Sequence, residues 1–145
     1  MTLRFLIIPL LLIPVAADTA PIEPGRWEIT NDLREVTIDG RAEQGISPAA
    51  RPVSACLSAD AAIRGPGLAF SDPDLCTVLE STIRDGRYAY KMQCKATESA
   101  DTIETQVSGA FTRSEYDGEA ISLQKRGSTR IEMRSRIKAR RLGDC

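Results

Sequence analysis

Few kinds of side chain in this chain could do chemistry. There is no histidine among its 145 residues, which removes Ser-His-Asp and Cys-His nucleophile pairs and the commonest metal ligand. No G-x-S-x-G elbow, P-loop or dinucleotide fingerprint occurs either. Three sets remain: the cysteines Cys56, Cys76, Cys94 and Cys145, two carboxylate clusters, and a basic run near the C-terminus. Asp72 with Asp74, or Glu115 with Asp117 and Glu119, could form an acid–base pair or a calcium site. Each cluster falls where a loop or turn is expected, and Asp is common there for its own local hydrogen bonds. Turn chemistry is the simpler reading, since an active pair also needs a cleft that shifts its pKa values.

The basic run is the strongest departure from randomness. From Lys125 to Arg141 eight basic residues stand against Glu132 alone, a net of +7. Arg130, Arg134, Arg136, Lys138 and Arg140 share one strand face, opposite Ile131, Met133 and Ile137. The simpler account of this ridge is a solvated outer face, paired with acidic side chains of neighbouring strands and discouraging edge-to-edge aggregation. The functional account is a contact for an anionic envelope component or an acidic protein partner. Nucleic acid fits poorly, because the ridge has no interleaved aromatics and the whole chain carries a net charge of −1.

The elements that would position these groups begin after a leader. Arg4, the apolar run Phe5 to Val15 and the small residues Val15-Ala16-Ala17 have the pattern of a secretory signal cleaved before Asp18. The run is interrupted by Pro9 and Pro14 and is shorter than the roughly 20 residues that span a bilayer. The expectation is a periplasmic or secreted protein, with no transmembrane segment in the mature chain and a single domain over residues 18–145. Behind an export signal, four cysteines without a CxxC pair favour two disulfides over zinc.

Leu75 to Ala96 reads as a hairpin. Tyr88, Tyr90, Met92, Cys94 and Ala96 alternate with Arg87, Lys91, Gln93 and Lys95, broken only by Ala89. If Arg84-Asp85-Gly86 is a three-residue loop with Ile83 facing Arg87, Cys76 falls opposite Cys94, which leaves Cys56 to pair with Cys145. A two-residue loop would shift the pairing by one residue and point the two sulfurs to opposite faces.

Elsewhere, a flexible Asp18 to Pro24 lead precedes a strand from Arg26 to Asp39. Its apolar positions shift phase between Trp27 with Ile29 and Val36 with Ile38, the mark of a bulge near Asn31-Asp32. Trp27 is most simply a core anchor. Val53 to Leu57 is a short strand, Ser58 caps a helix of one or two turns, and Gly40 to Pro52 and Gly65 to Asp74 are loops. Alternation from Ile103 to Phe111, a turn at Asp117-Gly118, Ile121 with Leu123, and a turn at Arg126-Gly127-Ser128 complete a meander. The predicted fold is all-β: a small antiparallel meander, curled on itself or closed as a barrel, with one short helix and two disulfides.

The start Pro24-Gly25-Arg26-Trp27-Glu28, the spacing of Cys56, Cys76 and Cys94, and the ending Arg140-Arg141-Leu142-Gly143-Asp144-Cys145 resemble the bacterial secreted family catalogued as domain of unknown function 3617. The resemblance spans essentially the whole mature chain. It implies a periplasmic or secreted single-domain protein, and no activity, cofactor or catalytic residue comes with it. The expectation is a non-enzymatic, binding or envelope-associated protein without cofactor. The alternatives are a small secreted enzyme inhibitor acting through a rigid loop, and a carboxylate-dependent hydrolase.

Overall fold

Eight strands account for most of the chain in the computed structural model, which describes residues 21–45, 50–96 and 101–145. The proposed leader over 1–17 lies outside the described residues. The strands are β1 (Gly25–Ile38), β2 (Arg41–Ala42), β3 (Val53–Leu57), β4 (Cys76–Arg84), β5 (Arg87–Lys95), β6 (Thr102–Phe111), β7 (Glu115–Arg126) and β8 (Thr129–Gly143). They form one antiparallel sheet in the order β2-β1-β8-β7-β6-β5-β4, with β3 paired to the start of β1. One short α-helix, α1 (Ala59–Ala62), follows β3 among the described residues, and the Ser58 hydroxyl accepts the Ala61 N–H at its start. The all-β antiparallel expectation holds. The closed barrel does not: the far edge of β1 is occupied by β3 and β2, so among the described residues β4 has no strand to meet and remains a sheet edge.

The central hairpin corrects a step of the sequence argument while keeping its result. The loop has two residues, Asp85 and Gly86, both with positive φ (53° and 69°), and Arg84 pairs with Arg87. That geometry matches the right-handed twist of the flanking strands and is the one Asp-Gly favours. The shift it imposes is cancelled by a bulge at Leu79, between the Val78–Met92 and Glu80–Lys91 pairs. Cys76 therefore still meets Cys94, and the two are joined by a disulfide. Cys56 and Cys145 are exposed and unjoined here, although their thiols lie close enough to hydrogen-bond.

Three further expectations fail. Asp117-Gly118 is not a turn but the interior of β7; the chain reverses at 112–114 instead, where the Thr112 hydroxyl accepts the Ser114 and Glu115 N–H groups. Gly118 is needed for space. A Cβ there would overlap the Tyr88 hydroxyl and the Ser108 carbonyl, and its cross-strand partner Gly109 is equally crowded by the Asp117 carbonyl. The lead before β1 is also tied down at its end: Ile22 is fully buried, Glu23 donates its N–H to the Arg113 carbonyl, and its carbonyl accepts the Trp27 indole N–H at 3.0 Å. The bulge in β1 lies at Leu33–Glu35 rather than Asn31-Asp32, and returns Val36 and Ile38 to the face shared by Trp27 and Ile29.

One face of the sheet carries the core and is covered over its central part. Trp27, Tyr88, Tyr90, Val107, Tyr116, Ala120 and Ala139 are buried with Leu57 of β3 and with Ala62, Leu68 and Ala69 of the segment after it. Gly65 to Asp74 is thus not a free loop: its Leu68–Phe70 turn is a lid, and Phe70 packs its ring against Trp27 and Tyr116 at about 6 Å. Burial raises all three tyrosine pKa values, that of Tyr88 to about 12, with Asp117 adding to the shift, so each phenol stays neutral.

Candidate binding face

The opposite face is open and polar, because strand periodicity sends every second side chain there. On it β8 is flanked by β1 and β7. All five predicted ridge residues, Arg130, Arg134, Arg136, Lys138 and Arg140, are on β8 and exposed. The neighbouring strands bring carboxylates beside them: Glu28, Asp32 and Glu35 from β1, and Glu115, Asp117 and Glu119 from β7.

The charges engage one another. Arg136 grips Asp117 through two bonds of 3.1 and 2.9 Å, Arg140 meets Glu28 at 2.8 Å, and Arg134 meets Glu132 at 2.9 Å and Glu35 at 3.8 Å. Arg130 reaches Glu132 at 3.5 Å, while its N–H donates to the Asp39 carboxylate. Lys138 is the ridge residue with no salt bridge among the described residues; it stands between Thr30 and Asp117 in the register. Four bases from Arg134 to Arg140 thus face six carboxylates. The positive run in the sequence is therefore not a positive field in space. Being screened by solvent, these exposed pairs stabilise the fold little, but they lower the attraction that the ridge can offer to an anion.

Four adjoining hollows open on this face, of about 430, 830, 490 and 450 Å3. The first and second share Asp117, the second and third share Ala89 and Ser108, and the third and fourth share Glu119 and Ile121. The small residues Ala89, Ser108 and Ala110 leave the space. Sequence reading passed over them, although the break in alternation at Ala89 was their one visible sign. The first hollow lies between two cross-strand rows, Glu28-Arg140-Glu115 and Thr30-Lys138-Asp117-Ala110.

The carboxylate clusters are occupied locally. The Asp72 carboxylate accepts the Asp74 N–H at 2.9 Å, and the Asp72 carbonyl accepts the N–H groups of Leu75 and Cys76. Asp117 is half-buried, and its hydrogen bond from Arg136 holds its pKa below the usual carboxylate range. A general acid would require a shift in the other direction.

No helix among the described residues is long and apolar enough to cross a membrane. A family model described as a protein of unknown function (DUF3617) matches residues 22–145. No curated protein and no solved structure matches the chain.

Proposed function

As this chain belongs to the family of proteins of unknown function DUF3617, we propose that it is an exported, non-enzymatic binding protein that meets its partner with the open face of the sheet. The observation that carries this reading is the asymmetry of the two faces. One carries the buried aromatic core under its own lid, whereas the other presents contiguous hollows floored by Ala89, Ser108 and Ala110. A concave, preformed surface suits recognition, and alternating charge suits a partner that carries both signs.

An anionic envelope polymer is the weaker fit, because the flanking carboxylates outnumber the ridge bases from Arg134 to Arg140. The inhibitor reading loses one of its two candidate loops, Gly65 to Asp74 and Gly40 to Pro52, since the first is folded down as the lid. The hydrolase reading loses Asp117 as its general acid, since the pKa is lowered by Arg136 rather than raised. The leader pattern and the Cys76–Cys94 disulfide support export to an oxidising compartment.

The test is photo-crosslinking in the exporting cell followed by mass spectrometry, with the reactive side chain at Ala110 in the first hollow or at Ile63 on α1's C-cap. A specific product from Ala110, absent from Ile63 and lost with Arg134→Glu plus Arg136→Glu, is the expected result. Equal labelling from both positions would remove the open face from consideration. Binding to anionic vesicles or cell-wall polymer is expected to be unchanged by the same double substitution.

We infer also that Cys56 and Cys145 join in the exported protein. They approach because Arg26 in β1 pairs with Cys56 on one side and Gly143 on the other. Joining them passes two electrons and two protons to an external disulfide oxidant. Peptide mapping of unreduced protein should recover Cys56 linked to Cys145; free alkylation of both thiols would refute the bridge.

A further inference from the structure

The sheet ends at β4, whose outer edge has no partner strand among the described residues. The two-residue loop determines which backbone groups face that edge. Arg84 and Arg87 flank the loop and bond to each other, so alternation turns the N–H and C=O groups of Thr82 and Glu80 inward to β5 and those of Ser81 and Ile83 outward. The side chains of Glu80, Thr82 and Arg84 share the open face. Arg84 is directly opposite Arg87, an unfavourable like-charge pair. Glu80 is opposite Lys91, but the Lys91 ammonium is taken by Glu104 at 3.1 Å. Among the described residues neither Glu80 nor Arg84 has an ion pair.

We propose that this edge pairs with a second copy of the chain, β4 against β4 and antiparallel, with Thr82 on the two-fold axis. In that register Ser81 and Ile83 exchange backbone hydrogen bonds with Ile83 and Ser81 of the second copy. Glu80 then faces Arg84 of the second copy, and symmetry makes the pair twice. Each incoming carboxylate also offsets the Arg84–Arg87 repulsion. Registers displaced by one residue set inward groups against outward ones. Axes through Ser81 or Ile83 keep the hydrogen bonds but place Arg84 opposite Val78 or Thr82. Charge complementarity therefore selects one arrangement. The bulge at Leu79 confines pairing to Glu80–Arg84, so the dimer is weak and concentration-dependent.

Sedimentation of exported, oxidised protein from about 10 μM to about 2 mM should show reversible dimerisation, since so short an interface falls in the weak, transient class. Glu80→Arg or Arg84→Glu alone should weaken it about tenfold, or about 1.4 kcal/mol, and the double exchange should restore it. Ser81→Pro removes one outward donor without touching the β5 ladder and should abolish the dimer. Amide exchange at Ser81 and Ile83 should slow with concentration in the unaltered protein, a readout independent of any substitution. A monomer throughout the range, a double exchange that fails to restore pairing, or a dimer indifferent to Ser81→Pro would overturn the proposal.

Discussion

Trp27→Ala is expected to lower stability by about 3–5 kcal/mol, the cost of truncating a large aromatic in a core that only partly collapses. The indole is fully buried, packs against the rings of Phe70 and Tyr116 at 6.1 and 6.0 Å, and donates its N–H to the Glu23 carbonyl. It is thus where the segment before β1, the lid and the sheet meet. Against a total of about 5–15 kcal/mol for an ordinary domain, the loss leaves the variant near its unfolding threshold. Urea denaturation followed by circular dichroism measures it: the midpoint should fall with little change in slope. Trp27→Phe keeps the ring and loses the indole hydrogen bond, and should lose clearly less. A deficit below about 1 kcal/mol for Trp27→Ala, a surface-like value, would mean that the lid does not depend on this anchor.

Gly118→Ala should cost about 2–3 kcal/mol, a large effect for one methyl group and one caused by crowding rather than by lost contact. The added Cβ meets the Tyr88 hydroxyl, which has somewhere to go only if the ring shifts, and the Ser108 carbonyl, which is backbone. Tyr88→Phe offers a clean partner for this experiment, because the Tyr88 hydroxyl is buried without a hydrogen-bond partner among the described residues. Removing an unpaired buried phenol oxygen should be neutral or stabilising by up to about 1 kcal/mol. In the Tyr88→Phe background, Gly118→Ala should then cost clearly less, leaving the Ser108 contribution. Thermal melts of the four proteins close the cycle. Strict additivity would show that the two positions do not touch. Each kcal/mol corresponds to roughly 3–6 °C for a chain of this size.

Much of the fold was legible because its signal is local. Alternation identified the strands, Val53 to Leu57 was read residue for residue, and Ser58 was recognisable as a cap from its position before Ala59. The Cys76–Cys94 pairing was also legible, but through two departures that cancel: a loop one residue shorter than expected and a bulge at Leu79. Neither leaves a mark of its own, since a bulge is set by both strands together. The Asp-Gly dipeptides divide in the same way. At 85–86 the pair makes a turn, whereas at 117–118 it lies within β7, and what separates them is Tyr88 lying across the second.

The candidate face divides along the same line. Composition and period were enough to establish an antiparallel β-chain with a basic strand near its end, because charge count and a two-residue repeat are properties of neighbouring positions. Whether that strand carries a net field depended on Glu28, Asp32 and Glu35, about a hundred residues earlier, and on Glu115, Asp117 and Glu119, all set beside it by the register of β1 and β7. The hollows, the lid and the unpaired β4 edge are of this second kind. Each is created by which strands become neighbours, and a period-2 pattern says which way a side chain points but not what it will point beside.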